Sequence, residues 1–160
     1  MKKLILMLVF ALSANAGAQS VIPDDIALIQ ELYGKSKLEV VKEYLQLSEP
    51  QASAFQEVYD KYEMERKELG KKKIQILDEY AKNYAILSES KAIELTEANL
   101  KNNLDLEKLL SKTNSKMVKA IGGINAAKFV QLELYLQVTI RAEIQDSIPF
   151  IGELDKTKTK

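Results

Sequence analysis

Apolar side chains recur at steps of three, four or seven residues along a stretch that opens at Leu47 and continues to about Leu87. The members of this stripe are Phe55, Tyr59, Tyr62, Leu69, Ile76, Tyr80, Tyr84 and Leu87. Such steps mark one face of an α-helix, whereas a strand alternates by two. Arg66 and Lys73 stand where the stripe lacks an apolar residue, so charge interrupts it near its centre. A helix of this length is roughly 57 Å long, which predicts an elongated molecule that its own chain cannot wrap.

The start of this long helix has the residues of a capping box. We expect Ser48 to cap the first free backbone N–H groups and Gln51 to reach back to the N–H of the cap. Glu49 places negative charge at the positive end of the helix dipole, and Pro50 occupies the first turn, where its missing N–H costs nothing.

Three further parts of the chain carry helical periodicity. Before the long helix, apolar residues on either side of Gly34 predict two short helices or one bent helix. After it, Ser88 opens a helix that runs to about Ile121, and Asn125 caps a last helix that ends before Pro149. The predicted fold class is therefore all-α: an elongated, hooked helical hairpin of about four helices, with one short N-terminal helix, two long helices and one C-terminal helix.

The last helix is apolar over more than half of its circumference. One face carries Phe129, Leu132, Leu136 and Ile140, and Val130, Leu134 and Val138 form a second side. A helix of this kind lies between neighbours or in an oligomer interface. We expect the second side to be the contact of a homodimer, the commonest closed assembly.

Residues 1–18 have the features of an export signal. Lys2 and Lys3 precede an apolar run from Leu4 to Leu12, and two A-x-A sites predict cleavage after Ala16 or Ala18. The run is too short to cross a bilayer, which takes about 20 residues, although a retained anchor is the alternative. We therefore expect a periplasmic protein without stable membrane insertion, with one helical domain at 19–154 and a disordered tail at 155–160.

Composition excludes several kinds of chemistry. The chain contains no Cys and no His, so the usual zinc ligands and the usual general base are missing, and glycine is sparse. Loss of residues 1–18 changes the formal net charge from 0 to −2, which gives no bulk attraction for nucleic acid. We expect no enzyme activity, no metal, no cofactor and no nucleic-acid partner.

The middle of the long helix is rich in positive charge. The basic residues there are Arg66, Lys67, Lys71, Lys72 and Lys73. They have two interpretations: a solvated face, or a patch that binds an acidic partner or phospholipid headgroups.

The run Leu47-Ser48-Glu49-Pro50-Gln51 resembles the L-T-x-x-Q motif of the Spy/CpxP family of periplasmic proteins, with Ser48 at the threonine position. A second, weaker copy stands at Ile124-Asn125-Ala126-Ala127-Lys128, and the resemblance spans roughly residues 24–148. It implies a hooked helical hairpin that dimerises into a thin cradle. Members act as ATP-independent chaperones or as partners of envelope stress sensors. Some bind zinc, but the absence of His and Cys does not support that role here.

Two functions follow as expectations. The first is a non-enzymatic, chaperone-like or envelope-stress-associated protein that holds unfolded client proteins on a helical cradle. The alternative is a structural or regulatory partner dedicated to one envelope protein, such as a sensor or an assembly factor.

Overall fold

The computed structural model describes residues 25–151, which form five α-helices and no strand. The helices are α1 (Asp25–Tyr33), α2 (Lys37–Leu45), α3 (Glu49–Asn83), α4 (Glu89–Ile121) and α5 (Gly123–Ser147), and a 3-10 turn at Tyr84–Ile86 joins α3 to α4. The all-α prediction is confirmed. The expected signal peptide at 1–18 and the expected tail at 155–160 lie outside the described residues.

The N-terminal part of this region is two helices rather than one bent helix. Gly34 ends α1 in the left-handed region, with φ of +63°, which glycine adopts without the steric cost of a Cβ. Ser36 then caps α2: its hydroxyl accepts a hydrogen bond from the Glu39 N–H, and the Glu39 carboxylate accepts one from the Ser36 N–H. This reciprocal cap separates α1 from α2 and raises the helix count from the expected four to five.

Helix α4 packs along α3, and α5 packs against both of them. With 35 residues, α3 is about 52 Å long. The Phe129 ring of α5 meets Phe55, Tyr59 and Tyr62 of α3 edge-on, at centroid distances of 6.0, 6.3 and 5.6 Å. Helix α5 therefore covers part of the apolar stripe of α3 within a single chain.

The core is divided into two apolar clusters. The larger joins α2, α3, α4 and α5 around Val41, Phe55, Met117 and Phe129. The smaller joins α1, α3 and α5 through Leu28, Leu77 and Ile144, with Ile148 just beyond the end of α5. Along α3, the fully buried apolar residues of the larger cluster end at Tyr62 and those of the smaller one begin at Leu77. In the segment 63–73 between them, Leu69 is half-buried against the larger cluster, and the charged residues Glu63, Arg66 and Lys73 belong to two polar sites.

None of the helices within residues 25–151 combines the length and the apolar character needed to cross a membrane.

Candidate functional site

The two motif copies meet at the ends of the helices. The Gln51 side-chain amide donates to the carbonyl oxygen of Ile121 at 3.3 Å, and the Asn125 amide donates to the same oxygen at 3.1 Å. Ile121 is the last residue of α4, whose final carbonyls have no partner within the helix. The two amides together satisfy this carbonyl and fix the start of α3 against the α4–α5 corner.

A reciprocal contact links the second copy to the end of α2. The Lys128 ammonium, at the glutamine position of that copy, lies 3.4 Å from the carbonyl oxygen of Leu45, the last residue of α2. It also lies over the Tyr44 ring, 5.1 Å from the centroid. Gln51 thus contacts the helix end before the second copy, and Lys128 contacts the helix end before the first.

The caps differ from those expected. Ser48 does occupy the N-cap of α3, but its side chain makes no capping hydrogen bond and donates to the Gln51 side-chain oxygen instead, at 3.1 Å. The capping box predicted for Ser48 and Gln51 is therefore wrong, because Gln51 is engaged with Ile121. Asn125 does not cap α5, which begins at Gly123 after the N-cap Gly122. Of the first-position residues, Leu47 packs against the larger cluster and Ile124 is exposed.

These contacts predict unequal roles for two N-cap serines. Ser88 accepts a hydrogen bond from the Lys91 N–H at 3.3 Å, so Ser88→Ala should lower the free energy of unfolding by about 1 kcal/mol. Ser48→Ala removes no such bond and should cost less than about 0.5 kcal/mol. Urea denaturation of the two variants beside the wild type measures the difference. An equal loss in both variants would mean that the Ser48 hydroxyl does cap α3 in solution.

A buried ionic cluster lies beside the larger apolar cluster. Glu133 of α5 is 0% exposed, and its carboxylate accepts a hydrogen bond from the Tyr62 hydroxyl at 2.6 Å. The Lys37 ammonium lies 2.6 and 2.9 Å from the two Glu133 oxygens and 2.6 Å from Glu63. Arg66 donates to both oxygens of Glu63, at 2.6 and 3.1 Å. Two carboxylates and two cations from α2, α3 and α5 thus balance each other in charge.

The cluster shifts the acidity of its members. Burial alone raises the pKa of Glu63, but the adjacent Lys37 and Arg66 charges outweigh it and lower the pKa from 4.5 to about 2. The stabilisation from this ionised carboxylate is therefore present above pH 4.5 and is lost as the pH falls towards 2. Burial and the neighbouring Glu133 charge raise the pKa of the Tyr62 phenol, which keeps this hydroxyl a donor.

A second polar site lies further along α3. The Lys73 ammonium donates to the side-chain oxygens of Asn99 and Asn103 on α4, the latter at 2.8 Å. Burial and the positive charge of Arg141 on α5 lower the pKa of Lys73 from 10.5 to about 8. Nearby, the Asn102 amide donates to the Leu69 carbonyl at 3.0 Å and ties α4 to α3.

The basic residues of α3 therefore do not form one patch. Lys67, Lys71 and Lys72 are exposed, Arg66 is buried against Glu63, and Lys73 is half-buried between α3 and α4. The two positions that interrupt the apolar stripe point inward, because the stripe is the buried face of α3 throughout. Neither interpretation of the basic segment applies to all five residues.

Two helices carry exposed apolar rows. On α4, Ile93, Leu100, Leu104 and Val118 are exposed and share one face of the helix. On α5, Ile124, Leu134, Tyr135 and Val138 are exposed and likewise lie on one side. Of the expected dimer-contact residues, Leu134 and Val138 belong to this α5 row, whereas Val130 is partly buried against the larger core cluster.

Four residues of these two polar sites were not predicted from the sequence: Lys37, Glu133, Asn99 and Asn103. A signal for Glu133 exists, since it stands four residues after Phe129 and three before Leu136, on the face that both of them bury. Asparagines are poor helix formers, so three of them at 99, 102 and 103 in mid-helix also indicate a tertiary role.

The ionic cluster is suited to positioning helices rather than to binding. Its charged groups already contact one another within 3.1 Å, and breaking such a pair is costly. Within 25–151, no group of three or more acidic side chains is arranged to hold a metal ion. Compared with known proteins, the chain matches no family model, no curated protein sequence and no solved structure.

Proposed function

We propose that this chain is an exported, periplasmic binding protein without enzymatic activity, which holds partly unfolded client proteins on its helical surface in the manner of the Spy/CpxP family. The export signal proposed for residues 1–18 supports the location. Client binding here needs no ATP, since it rests on a surface that is already exposed.

The observation that carries the proposal is the apolar row on α4. From Ile93 to Leu104 it extends over about 17 Å, and Leu100 within it is 61% exposed. Val118 lies on the same face, but beyond the polar residues Glu107 and Ser111. A row of lysines lies beside it on the same helix: Lys101, Lys108, Lys112, Lys116 and Lys119. Exposed apolar surface rimmed by polar residues is typical of an interaction site. A narrow row of this kind, with lysines beside it, suits an extended, partly unfolded segment that has both apolar and acidic side chains.

The contacts of the motif copies lend further support. Gln51 and Asn125, the residues that carry the resemblance to L-T-x-x-Q, donate to one carbonyl oxygen. The two motif copies therefore contact the same backbone carbonyl in this chain, which is consistent with a repeated motif.

An aggregation assay tests the proposal. A chemically denatured client is diluted into buffer, and light scattering is followed with and without a several-fold excess of this protein. We expect the wild type to suppress scattering, and the double variant Leu100→Ser, Leu104→Ser to lose most of that effect, because Leu100 and Leu104 are adjacent members of the row.

The matched control is Lys108→Ser, Lys112→Ser, which changes two exposed residues of the same helix outside the apolar row. It should retain most of the suppression if apolar contact dominates. Absence of suppression by the wild type would count against client holding, and equal activity in both double variants would exclude the α4 row as the binding surface.

The second candidate function is a partner dedicated to one envelope protein, and the α5 row favours it. Tyr135 and Val138, which are 60% and 65% exposed, form a more compact surface with Leu134. If the partner that binds the α5 row is a second copy of this chain, the protein is a homodimer. Recovery of one stoichiometric partner from envelope extracts favours a dedicated partner, and sedimentation of the purified chain at tens of micromolar distinguishes a dimer from a monomer.

A further inference from the structure

A cavity of about 210 Å³ lies between α3, α4 and α5, beside the segment 63–73 of α3. Its walls are largely aliphatic and include Ile74, Leu77, Leu106, Ile140 and Ile144. Such walls favour an apolar guest.

Three cations line the same cavity. The Lys73 ammonium has three N–H donors and uses two of them on the Asn99 and Asn103 oxygens. Arg141 has no ion-pair or hydrogen-bond partner among residues 25–151. A third cation at the edge, Arg66, is already bonded to Glu63.

Among the residues that the structure describes, the lining of the cavity contains no Asp or Glu. The charges of Lys73 and Arg141 are therefore not balanced by these residues, and the positive charge of Arg141 lowers the pKa of Lys73. Like charges held close in partly desolvated surroundings repel each other, and an anion placed between them would relieve that cost.

An unused donor lies at the same place. Gln137 lines the cavity, and its side-chain nitrogen is buried without a hydrogen-bond acceptor among the described residues. A buried donor without an acceptor costs free energy that a ligand oxygen recovers.

We propose that this cavity is a binding site for a small aliphatic monocarboxylate, whose carboxylate lies between Lys73 and Arg141 and accepts from Gln137, and whose chain lies against Ile74, Leu77 and Ile144. A guanidinium pairs with a carboxylate through two parallel hydrogen bonds. Cavities of about 150 Å³ hold a six-carbon ring, so this volume suits an acid of about six to eight carbons. The site is separate from the exposed rows of the proposed client surface.

Isothermal titration of the full chain with sodium octanoate tests the site. We expect saturable binding of one octanoate per chain. Lys73→Met and Arg141→Met should each weaken binding about tenfold or more, since each removes a charge-assisted hydrogen bond. Lys72→Met is the matched control, because it removes one positive charge from an adjacent, exposed position of α3, and it should leave the affinity within about twofold.

Two further ligands separate the contribution of the carboxylate charge to the affinity from that of the aliphatic chain. Octanol, which has the chain without the charge, and acetate, which has the charge with almost no chain, should both bind at least about tenfold more weakly than octanoate. Inorganic phosphate that binds as tightly as octanoate would overturn the proposal in favour of a simple anion site.

Absence of octanoate binding would also overturn it, as would equal binding by Arg141→Met and the wild type. Arg141 is exposed, so its variant should fold even if Lys73→Met does not, and circular dichroism checks both. Suppression of client aggregation is measured separately, so loss of one activity does not decide the other.

Discussion

Glu133→Ala is expected to lower the free energy of unfolding by about 3–5 kcal/mol, because it leaves buried positive charge without its counter-charge. Glu133 is fully buried, and its carboxylate accepts hydrogen bonds from both the Lys37 ammonium and the Tyr62 hydroxyl. Without it, Lys37 and Arg66 share the single carboxylate of Glu63. Denaturation in urea at pH 7, followed by circular dichroism, measures the loss.

The control for this variant is Glu143→Ala, which removes an exposed carboxylate from the same helix and should change stability by less than about 0.5 kcal/mol. Adding Lys37→Met to Glu133→Ala removes the opposite charge as well. The double variant should therefore be less destabilised than the sum of the two single variants. Additive losses would show that the two side chains do not interact in solution.

Acid gives an independent check on the same cluster. Because the pKa of Glu63 is lowered to about 2, the stability difference between the wild type and Glu63→Gln should be largest above pH 4.5 and should shrink as the pH falls towards 2. A difference that stays constant with pH would mean that Glu63 is not held ionised by Lys37 and Arg66.

Phe129→Ala is expected to cost about 3–5 kcal/mol, the usual range for removing a fully buried aromatic side chain. Phe129 is 0% exposed, and its ring is the point where α5 meets three aromatic rings of α3. Its loss leaves a cavity that those rings cannot fill without leaving their edge-on contacts. Thermal and urea denaturation measure the effect.

Tyr135→Ala serves as the matched control, since it removes an aromatic side chain from the exposed side of the same helix. It should cost less than about 1 kcal/mol. If the two variants lose equal stability, α5 does not pack on α3 through Phe129. The exposed row of α5 would then be a buried face, as in a dimer.

Several features of the fold were readable from local sequence. The steps of three, four and seven residues from Phe55 to Ile76 predicted one long helix, and α3 is that helix. Ser88 and Ile121 were placed correctly as the ends of the next helix, because a capping serine and a C-terminal glycine such as Gly122 act within a few residues. Side-chain periodicity and helix caps are local signals, so they can be recognised in the sequence without knowing which helix packs against them.

The function of the polar residues was not readable in the same way. Ser48 and Gln51 form an ordinary capping box in sequence, yet Gln51 bonds Ile121, 70 residues away. The reason is that a side-chain amide can donate to any carbonyl oxygen within reach. The packing of the helices determines which of these oxygens lacks another hydrogen-bond donor.

What the sequence determined by itself is the all-α class and the helical faces, which depend on spacing along one chain. Arg66 and Lys73 both interrupt the apolar stripe of α3, but only the tertiary structure determined that their side chains have different kinds of partner. Arg66 pairs with Glu63, which shares Lys37 with Glu133. Within residues 25–151, Lys73 instead donates to two amide oxygens and lies near the charge of Arg141. The physical reason is that the free energy of a buried charge depends on the groups that the neighbouring helices place around it. Here those groups come from α2, α4 and α5, far from α3 in the sequence.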